Sequence, residues 1–290
     1  HGDRVVSHVG IFECEAILYG CRLKVGMIGS VCTHPEYRGR GLATRLVRDA
    51  LAKMTHDGVN IVMVSGIRSL YDRAGCAMAG TGYEVEITER ELALINDEEV
   101  EIHRYDGERI VDFVKIYQRE HVRYFRPYTH FKTLLEGQAW RSDKPLTRLP
   151  FLIYVNGEPA SYLVVHAPIE GGGVGRVVEY AGSRSAAIRA LKKIVESRGL
   201  ESIVLRVPAW DAEMIIELKR HHLKIPTCTT LLAGTVRLLN VEETFRKLEA
   251  YFNERVDAGV EVKEQNDIYR IRVGGEEIVV KDSKELAWLV

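Results

Sequence analysis

The chain has 290 residues, of which 46% are hydrophobic, and this length and content suggest about two domains with sizeable cores. The formal net charge is −1, so charge gives no support for nucleic acid as the main partner. Apolar runs fall short of the 18 or so residues of a membrane span and no signal-peptide pattern is present, so we expect no membrane partner.

The first part of the chain predicts a meander of strands followed by a helix. β-favouring residues run from 4 to 33, with a turn at Gly20. An amphipathic helix then extends to Met54, and a buried-type strand follows at 59–65. A short helix at 69–75 and two strands within 78–94 complete this part.

The connection between the meander and the first helix predicts a phosphate site. Pro35 ends the strand, and the loop Arg38-Gly39-Arg40-Gly41 leads directly into the apolar stripe that begins at Leu42. None of Ser, Thr, Asp or Asn precedes the first turn, so the unbonded N–H groups of that turn need another acceptor. A glycine-rich, basic loop at a bare helix start is typical of phosphate binding.

The middle of the chain repeats the same order of elements without that loop. After an acidic stretch at 96–99, the pattern predicts a helix with an apolar face at 110–117 and a hairpin turning at Asn156-Gly157. A strand (176–180), a helix (186–197), a strand (202–207) and a helix (212–221) follow.

Three features of this repeat bear on function. Ser183 or Ser185 can cap the helix at 186–197, so no phosphate is needed there. The glycine cluster 171–175 precedes no helix and is interpreted as a hairpin tip. The basic aromatic stretch 121–128 favours packing or an oligomer contact over nucleic-acid binding.

The last part of the chain predicts a strand at 235–239 and a helix with Asn240 as cap and Glu243 at its third position. Strands at 260–263, 268–273 and 277–280 follow, separated by turn residues.

Residues 27–80 resemble the GNAT superfamily of acyl-CoA-dependent N-acetyltransferases, whose pyrophosphate loop reads Gln/Arg-x-x-Gly-x-Gly/Ala, as Arg38-x-x-Gly41-x-Ala43 does here. The order of elements over nearly the whole chain resembles the Eis family, tandem GNAT proteins with a sterol-carrier-like C-terminal domain. The resemblance implies an α+β fold of mixed, mostly antiparallel sheets flanked by helices. It implies a GNAT domain at 1–97, a degenerate GNAT-like domain at 98–234 and a short sterol-carrier-like domain at 235–290.

The strand and helices that open a GNAT domain have no counterpart here, and we expect them to be omitted from this sequence, because a bare sheet edge would be costly. The resemblance also implies a homo-oligomer, a hexamer in the Eis family. The five cysteines are an odd number without a CxxC pair, which indicates free thiols in a reducing cytoplasm.

The resemblance assigns roles to particular residues. Acetyl-CoA would be the co-substrate, and no metal would be required. The residues expected to bind it are Val31, Cys32 and Thr33, which would pair with the pantetheine like an added strand, and Arg38, Gly39, Arg40, Gly41, Leu42 and Ala43, which would hold the pyrophosphate.

Tyr71, in the Eis-like segment Leu70-Tyr71-Asp72-Arg73-Ala74-Gly75, is the expected proton donor to the leaving thiolate. The C-terminal carboxylate of Val290 is the expected base if that terminus is native. His8, Glu13, His34 and a water relay are the alternatives as base. Cys32 as an acyl-carrying nucleophile is disfavoured, because direct transfer needs none.

The sequence thus predicts an N-acetyltransferase that transfers the acetyl group directly to a primary amine of a small polycation, an aminoglycoside-like molecule or a lysine. One alternative is a non-catalytic acyl-CoA-binding or scaffold protein, which would bind the co-substrate without turnover. A second is a lipid-binding module in the last domain, for which some 55 residues leave little room.

Overall fold

A computed structural model of the chain describes residues 4–96, 100–138, 145–226, 230–231, 234–256, 258–266 and 268–288. The chain folds into two compact units. The first unit comprises residues 1–80, 121–125 and 231–290, and the second comprises 81–120 and 126–230. The division into three domains with boundaries near 97 and 234 stays a prediction.

Within these described residues the strands, in chain order, are β1 (Ser7–Leu18), β2 (Cys21–Thr33), β3 (Ile61–Val64), β4 (Thr81–Thr88), β5 (Val100–Arg104), β6 (Val122–Tyr124), β7 (Leu146–Val155), β8 (Glu158–Pro168), β9 (Val174–Gly182), β10 (Ser202–Pro208), β11 (Thr230–Leu231), β12 (Thr235–Leu238), β13 (Val260–Gln265), β14 (Ile268–Val273) and β15 (Glu276–Val280). The α-helices are α1 (Leu42–His56), α2 (Ser69–Asp72), α3 (Glu89–Leu92), α4 (Ile110–Tyr117), α5 (Tyr128–Glu136), α6 (Arg184–Arg198), α7 (Ala212–Arg220), α8 (Val241–Lys247) and α9 (Glu249–Val256). Short 3₁₀ helices lie at Pro35–Tyr37 and Glu285–Trp288.

The first unit is built on a mixed sheet with the strand order β12-β3-β2-β1-β6. The predicted meander is one long antiparallel hairpin, because β1 and β2 pair from Ser7 with Thr33 down to Leu18 with Cys21. β3 lies parallel to β2, and β12 lies antiparallel to β3. The apolar stripe of α1 is buried against this sheet in a cluster that includes Val47, Leu51 and Met54, as the sequence pattern predicts.

The C-terminal part of the chain belongs to the same unit. β13, β14 and β15 form a separate antiparallel sheet. Its apolar residues, among them Tyr269 and Ile271, pack with Phe245 of α8 and with Leu286 of the last 3₁₀ helix.

The prediction that Asn240 caps α8 through its side chain is wrong. Asn240 has a left-handed backbone (φ 46°) and makes no side-chain capping hydrogen bond. Its amide instead donates to the carbonyls of Thr55 and Val59, at 3.1 and 2.9 Å. The Asn240 side chain therefore bonds to the segment at and just after the end of α1 and not to the first turn of α8.

The second unit contains a seven-stranded sheet with the order β11-β4-β10-β9-β8-β7-β5. α6 packs on it, burying Ile188, Leu191 and Ile194 in the larger apolar cluster of this unit. The hairpin turn at Asn156-Gly157 is confirmed, with φ values of 53° and 79°. The glycines 171–173 form the tip between β8 and β9, also as predicted.

One strand predicted within 78–94 is wrong. Thr81–Thr88 is a strand, but Glu89–Leu92 is a helix. A capping box between Thr88 and Glu91 starts this helix. The alternation of apolar and polar residues in this stretch instead predicts a strand. Among the helices that the structure describes, none combines the length and apolar character that crossing a bilayer requires.

Candidate cofactor cleft

The centre of the first unit's sheet opens where β2 and β3 separate. The parallel ladder between them ends at Ile28 and Val64, while β2 continues five residues further to Thr33. On the other side of β2, the register with β1 shifts between His8 and Gly10, opposite Ser30, whose φ is 51°. A bulge of this kind bends a strand and re-aims the residues beyond it. The end of β2 therefore lies outside the ladder to β3.

The helix after this strand begins without a side-chain cap, as the sequence predicts. Gly41 is the residue before the first turn, in a left-handed conformation (φ 73°), and no side chain bonds to the turn. The first helical bond is from the amide of Arg45 to the carbonyl of Gly41, at 3.0 Å. The amides of residues 42–44 precede that bond and point out of the helix start, where the helix dipole favours an anion.

These two features face one cleft with a volume of about 770 Å³. It lies within the first unit, and it brings together the end of β2, the glycine loop, the first turn of α1 and the segment around α2. Its lining residues are Val31, Cys32, Thr33, Tyr37, Arg38, Gly39, Gly41, Leu42, Ala43, Thr44, Arg68, Leu70, Tyr71 and Arg73.

Of the residues expected to bind the co-substrate, Arg40 is the one outside this lining. It is exposed, its guanidinium lies over the ring of Tyr37 at 4.9 Å, and it donates to the carbonyl of Glu36 at 3.3 Å. Arg38, in contrast, lines the cleft and is oriented by a 3.2 Å bond from Nε to the carbonyl of Thr33.

Several residues that line the cleft are not among those predicted from the sequence. They are Tyr37, Thr44, Arg68, Leu70 and Arg73. Thr44 could have been found, because it is the third residue of the uncapped turn. Arg68 and Arg73 flank the predicted acid in sequence, and this nearness to Tyr71 is the signal that could have indicated them as lining residues.

Tyr71 lines the cleft and is itself buried, with 6% of its surface exposed. Its ring packs on Gly66, where an added Cβ would lie 2.8 Å from Cε2 of the tyrosine. Within the described residues its hydroxyl has no hydrogen-bond partner, so that group is available to a bound molecule.

The residues considered as bases are dispersed. Glu13 pairs with Lys24 at 2.7 Å and Lys53 at 3.7 Å, beside the last turn of α1 and away from the cleft. His8 contacts the carbonyl of Ser30 through Nδ1 at 3.0 Å, next to the bulge. His34 is exposed, and like His8 it does not line the cleft. Val290 lies outside the described residues.

No cluster of His, Cys, Asp and Glu side chains in the described part of the chain could hold a metal ion. Within the described residues, Cys14, Cys21, Cys32 and Cys76 form no disulfide, and Cys32 is exposed in the cleft. Cys228 lies outside the described residues.

Comparison with known proteins agrees with this architecture. Residues 1–79 match the acetyltransferase (GNAT) domain family. No curated protein sequence matches the chain.

Solved structures share the fold. A GCN5-related N-acetyltransferase from Anabaena variabilis superposes with a TM-score of 0.69 at 20% identity, covering 100% of this chain and 78% of that one. Eis1 from Mycobacterium abscessus gives 0.65 at 14% identity, covering 99% and 77%. N-myristoyltransferase of Saccharomyces cerevisiae with bound myristoyl-CoA gives 0.51 at 9% identity, covering 81% and 63%. Residues 1–79 therefore match a GNAT acetyltransferase domain, within a chain whose fold is shared by GNAT proteins.

Proposed function

We propose that the protein is an N-acetyltransferase that uses acetyl-CoA and transfers the acetyl group directly to a primary amine. The observation that carries this proposal is the cleft, in which an uncapped helix start, a splayed strand end and a buried tyrosine meet. The yeast N-myristoyltransferase, a more distant neighbour in fold, was solved with myristoyl-CoA bound, which supports an acyl-CoA ligand.

The first turn of α1 fits a pyrophosphate. The amides of Leu42, Ala43 and Thr44 have no acceptor within the helix, and Gly41 has no Cβ to block their approach. Arg38 adds positive charge at the same wall. This chain therefore offers both directed N–H donors and a cation to one anionic group.

The end of β2 fits an extended amide-containing chain. Residues 31–33 lie beyond the ladder to β3, and their backbone groups can pair with the pantetheine as a further strand would. A backbone N–H at this strand end would polarise the thioester carbonyl.

We propose Tyr71 as the acid, because it lines the cleft and its hydroxyl is available to a bound molecule. Its hydroxyl would give a proton to the thiolate sulfur as the carbon–sulfur bond breaks and the amine nitrogen bonds to the acetyl carbon. A base must remove the proton from that nitrogen, and we propose a water relay for this step, or the carboxylate of Val290 if that residue is the native terminus.

The proposed acceptor is the amine of a small polycation, an aminoglycoside-like molecule or an exposed lysine. The likeness to Eis proteins further supports assembly into a homo-oligomer, a hexamer. These assignments rest on the family resemblance and on the fold.

The test compares the wild-type chain with Tyr71→Phe, which removes only the hydroxyl. Acetyl-CoA binding is measured by calorimetry, and CoA release is measured with a panel of amines. Because general acid catalysis contributes at least about 100-fold, we expect kcat to fall by about that factor while binding is retained. Tyr83→Phe, at a half-buried tyrosine of β4, is the matched control and should keep full activity.

Other outcomes would reject the proposal in distinct ways. Acetyl-CoA binding without turnover on any amine would favour the non-catalytic acyl-CoA-binding protein. Failure to bind would show that the loop at Arg38–Ala43 does not recognise the co-substrate.

A further inference from the structure

The segment that carries Tyr71 cannot hold its own conformation. α2 is one turn of four residues, and its N-terminal flank, Arg68, makes no side-chain capping bond. Isolated helices of this length are unstable in water, because nucleation is unfavourable. Contacts from elsewhere must therefore fix the tyrosine.

On the N-terminal side of Tyr71, that contact comes from β12. The hydroxyl of Thr235, a buried residue, donates to the carbonyl of Gly66 at 3.1 Å. Gly66 is the residue on which the ring of Tyr71 packs, and its lack of a Cβ makes that approach possible. Thr235 thereby holds the backbone that supports the ring.

On the C-terminal side, β12 and the end of the chain supply three further contacts. Nη1 of Arg237 donates to the carbonyl of Ala74, and its guanidinium lies against Gly75, within 3.3 Å of the position of an added Cβ. Val236 exchanges backbone hydrogen bonds with Ala77, at 2.7 and 2.8 Å. Lys284 pairs with Asp72, the residue after Tyr71.

We propose that Thr235, Arg237 and Lys284 are positioning residues that act through Tyr71, so that the C-terminal part of the chain sets the geometry of the acid. The proposal rests on the proposed function of the cleft. Misplacing a reacting group by about 1 Å can cost as much as 100-fold in rate, so loss of one such contact should lower kcat measurably. The pyrophosphate wall, formed by α1, should be unaffected.

The experiment removes single cations from this contact. Arg237→Met should lower kcat about tenfold and Lys284→Met, at a more exposed pair, about threefold, while the KM for acetyl-CoA stays within about twofold. Matched controls are Arg272→Met, in an exposed pair on β14, and Lys281→Met, three residues before Lys284. Both should behave as wild type.

The same changes in a Tyr71→Phe background separate positioning from simple loss of structure. If Arg237 acts through the hydroxyl, Arg237→Met should lower kcat no further once that hydroxyl is gone. An equal loss in both backgrounds, or an unchanged kcat in the single variants, would overturn the proposal. If Arg237→Met does not fold, the same comparison of kcat in the two backgrounds is made with Lys284→Met.

Hydrogen exchange gives a readout that does not depend on turnover. Residues 66–77 should exchange faster in Arg237→Met and Lys284→Met than in the controls, while residues 42–56 should not change. Unchanged exchange in 66–77 would overturn the positioning role. A wild-type chain that turns over no amine would reject the proposed function instead, which distinguishes the two failures.

Discussion

The helix starts of α1 and α6 show two ways to satisfy the same set of unbonded amides. Both helices follow a strand of a central sheet, and each has 15 residues. α1 begins after Gly41 with no side-chain cap, whereas Ser183 caps α6 by accepting a bond from the amide of Ala186 at 3.2 Å. The first start lines a cleft, and the second is closed by its own residues.

The charge at the second helix start is supplied by the protein. The amide of Gly182 donates to the carboxylate of Glu120 at 2.7 Å. The same carboxylate accepts two bonds from Arg184, at 2.7 and 2.8 Å, and Nε of Arg184 pairs with Asp211 at 3.1 Å. An internal carboxylate therefore accepts from the backbone just before α6, whereas the start of α1 lines a cleft.

The two starts therefore differ in what their backbone faces, because the first turn of α1 lines a cleft, whereas Ser183 already accepts a bond from the first turn of α6. The serine accepts from the amide of Ala186 within the first turn, and Glu120 accepts from the amide of Gly182 just before the helix. Part of the backbone at this start is therefore already bonded within the protein.

The largest effect on stability should come from breaking the ion pairs at the start of α6, called here the closed start. Arg184→Met leaves the carboxylates of Glu120 and Asp211, whose side chains are 15% and 4% exposed, without their shared cation. Removing one partner of such a buried pair costs about 3–5 kcal/mol. The free energy of urea unfolding should show this loss. The control is Arg206→Met, which breaks an exposed pair with Glu84 and should cost less than about 1 kcal/mol. Equal costs would show that the network around α6 adds no more than a surface pair.

The next prediction concerns the uncapped start of α1, called here the open start, and compares two glycines at opposite ends of that helix. Gly41 and Gly58 both have positive φ, 73° and 77°, and an added Cβ at either would contact nothing within 4 Å. An alanine at either position should therefore cost stability alike, about 1 kcal/mol. Only Gly41→Ala places a methyl group at the helix start, and we expect acetyl-CoA affinity to fall about tenfold there by calorimetry. Equal weakening by Gly58→Ala would mean that strain in the helix, not the anion site, controls binding.

The features that the sequence predicts correctly are local. The missing cap before Leu42, the cap of α6 by one of the two candidate serines (Ser183) and the Asn156-Gly157 turn each depend on a few adjacent residues. Hydrophobic periodicity likewise places α1 and α4 to within a few residues.

The features that it misses depend on contacts between distant segments. The side chain of Asn240 bonds to carbonyls near the end of α1 and not to its own helix, and the guanidinium of Arg40 lies over the ring of Tyr37. The contacts of Arg237 and Lys284 with the segment around Tyr71 join residues more than 160 positions apart, and no local sequence pattern predicts them. The register of β12 on β3 places Arg237, and the chain after β15 places Lys284.

The smallest effect concerns the pH dependence of the closed start. The hydroxyl of Tyr180 donates to Asp211 at 2.8 Å, and burial together with that carboxylate raises the pKa of Tyr180 well above its usual value. An unfolded tyrosine loses its proton near pH 10, whereas folded Tyr180 keeps it, so the folded state binds more protons and stability falls as pH rises above about 10.

Between pH 10 and pH 11 this effect is worth about 1 kcal/mol, and Tyr180→Phe should remove it. The measurement is the free energy of urea unfolding at pH 9 and pH 11 for the wild type, for Tyr180→Phe and for Tyr83→Phe, a half-buried tyrosine of the same unit. Tyr180→Phe should be less stable than the wild type at pH 9, because it loses the bond to Asp211, and the gap should narrow at pH 11. A constant gap would mean that Tyr180 titrates alike in the folded and unfolded states.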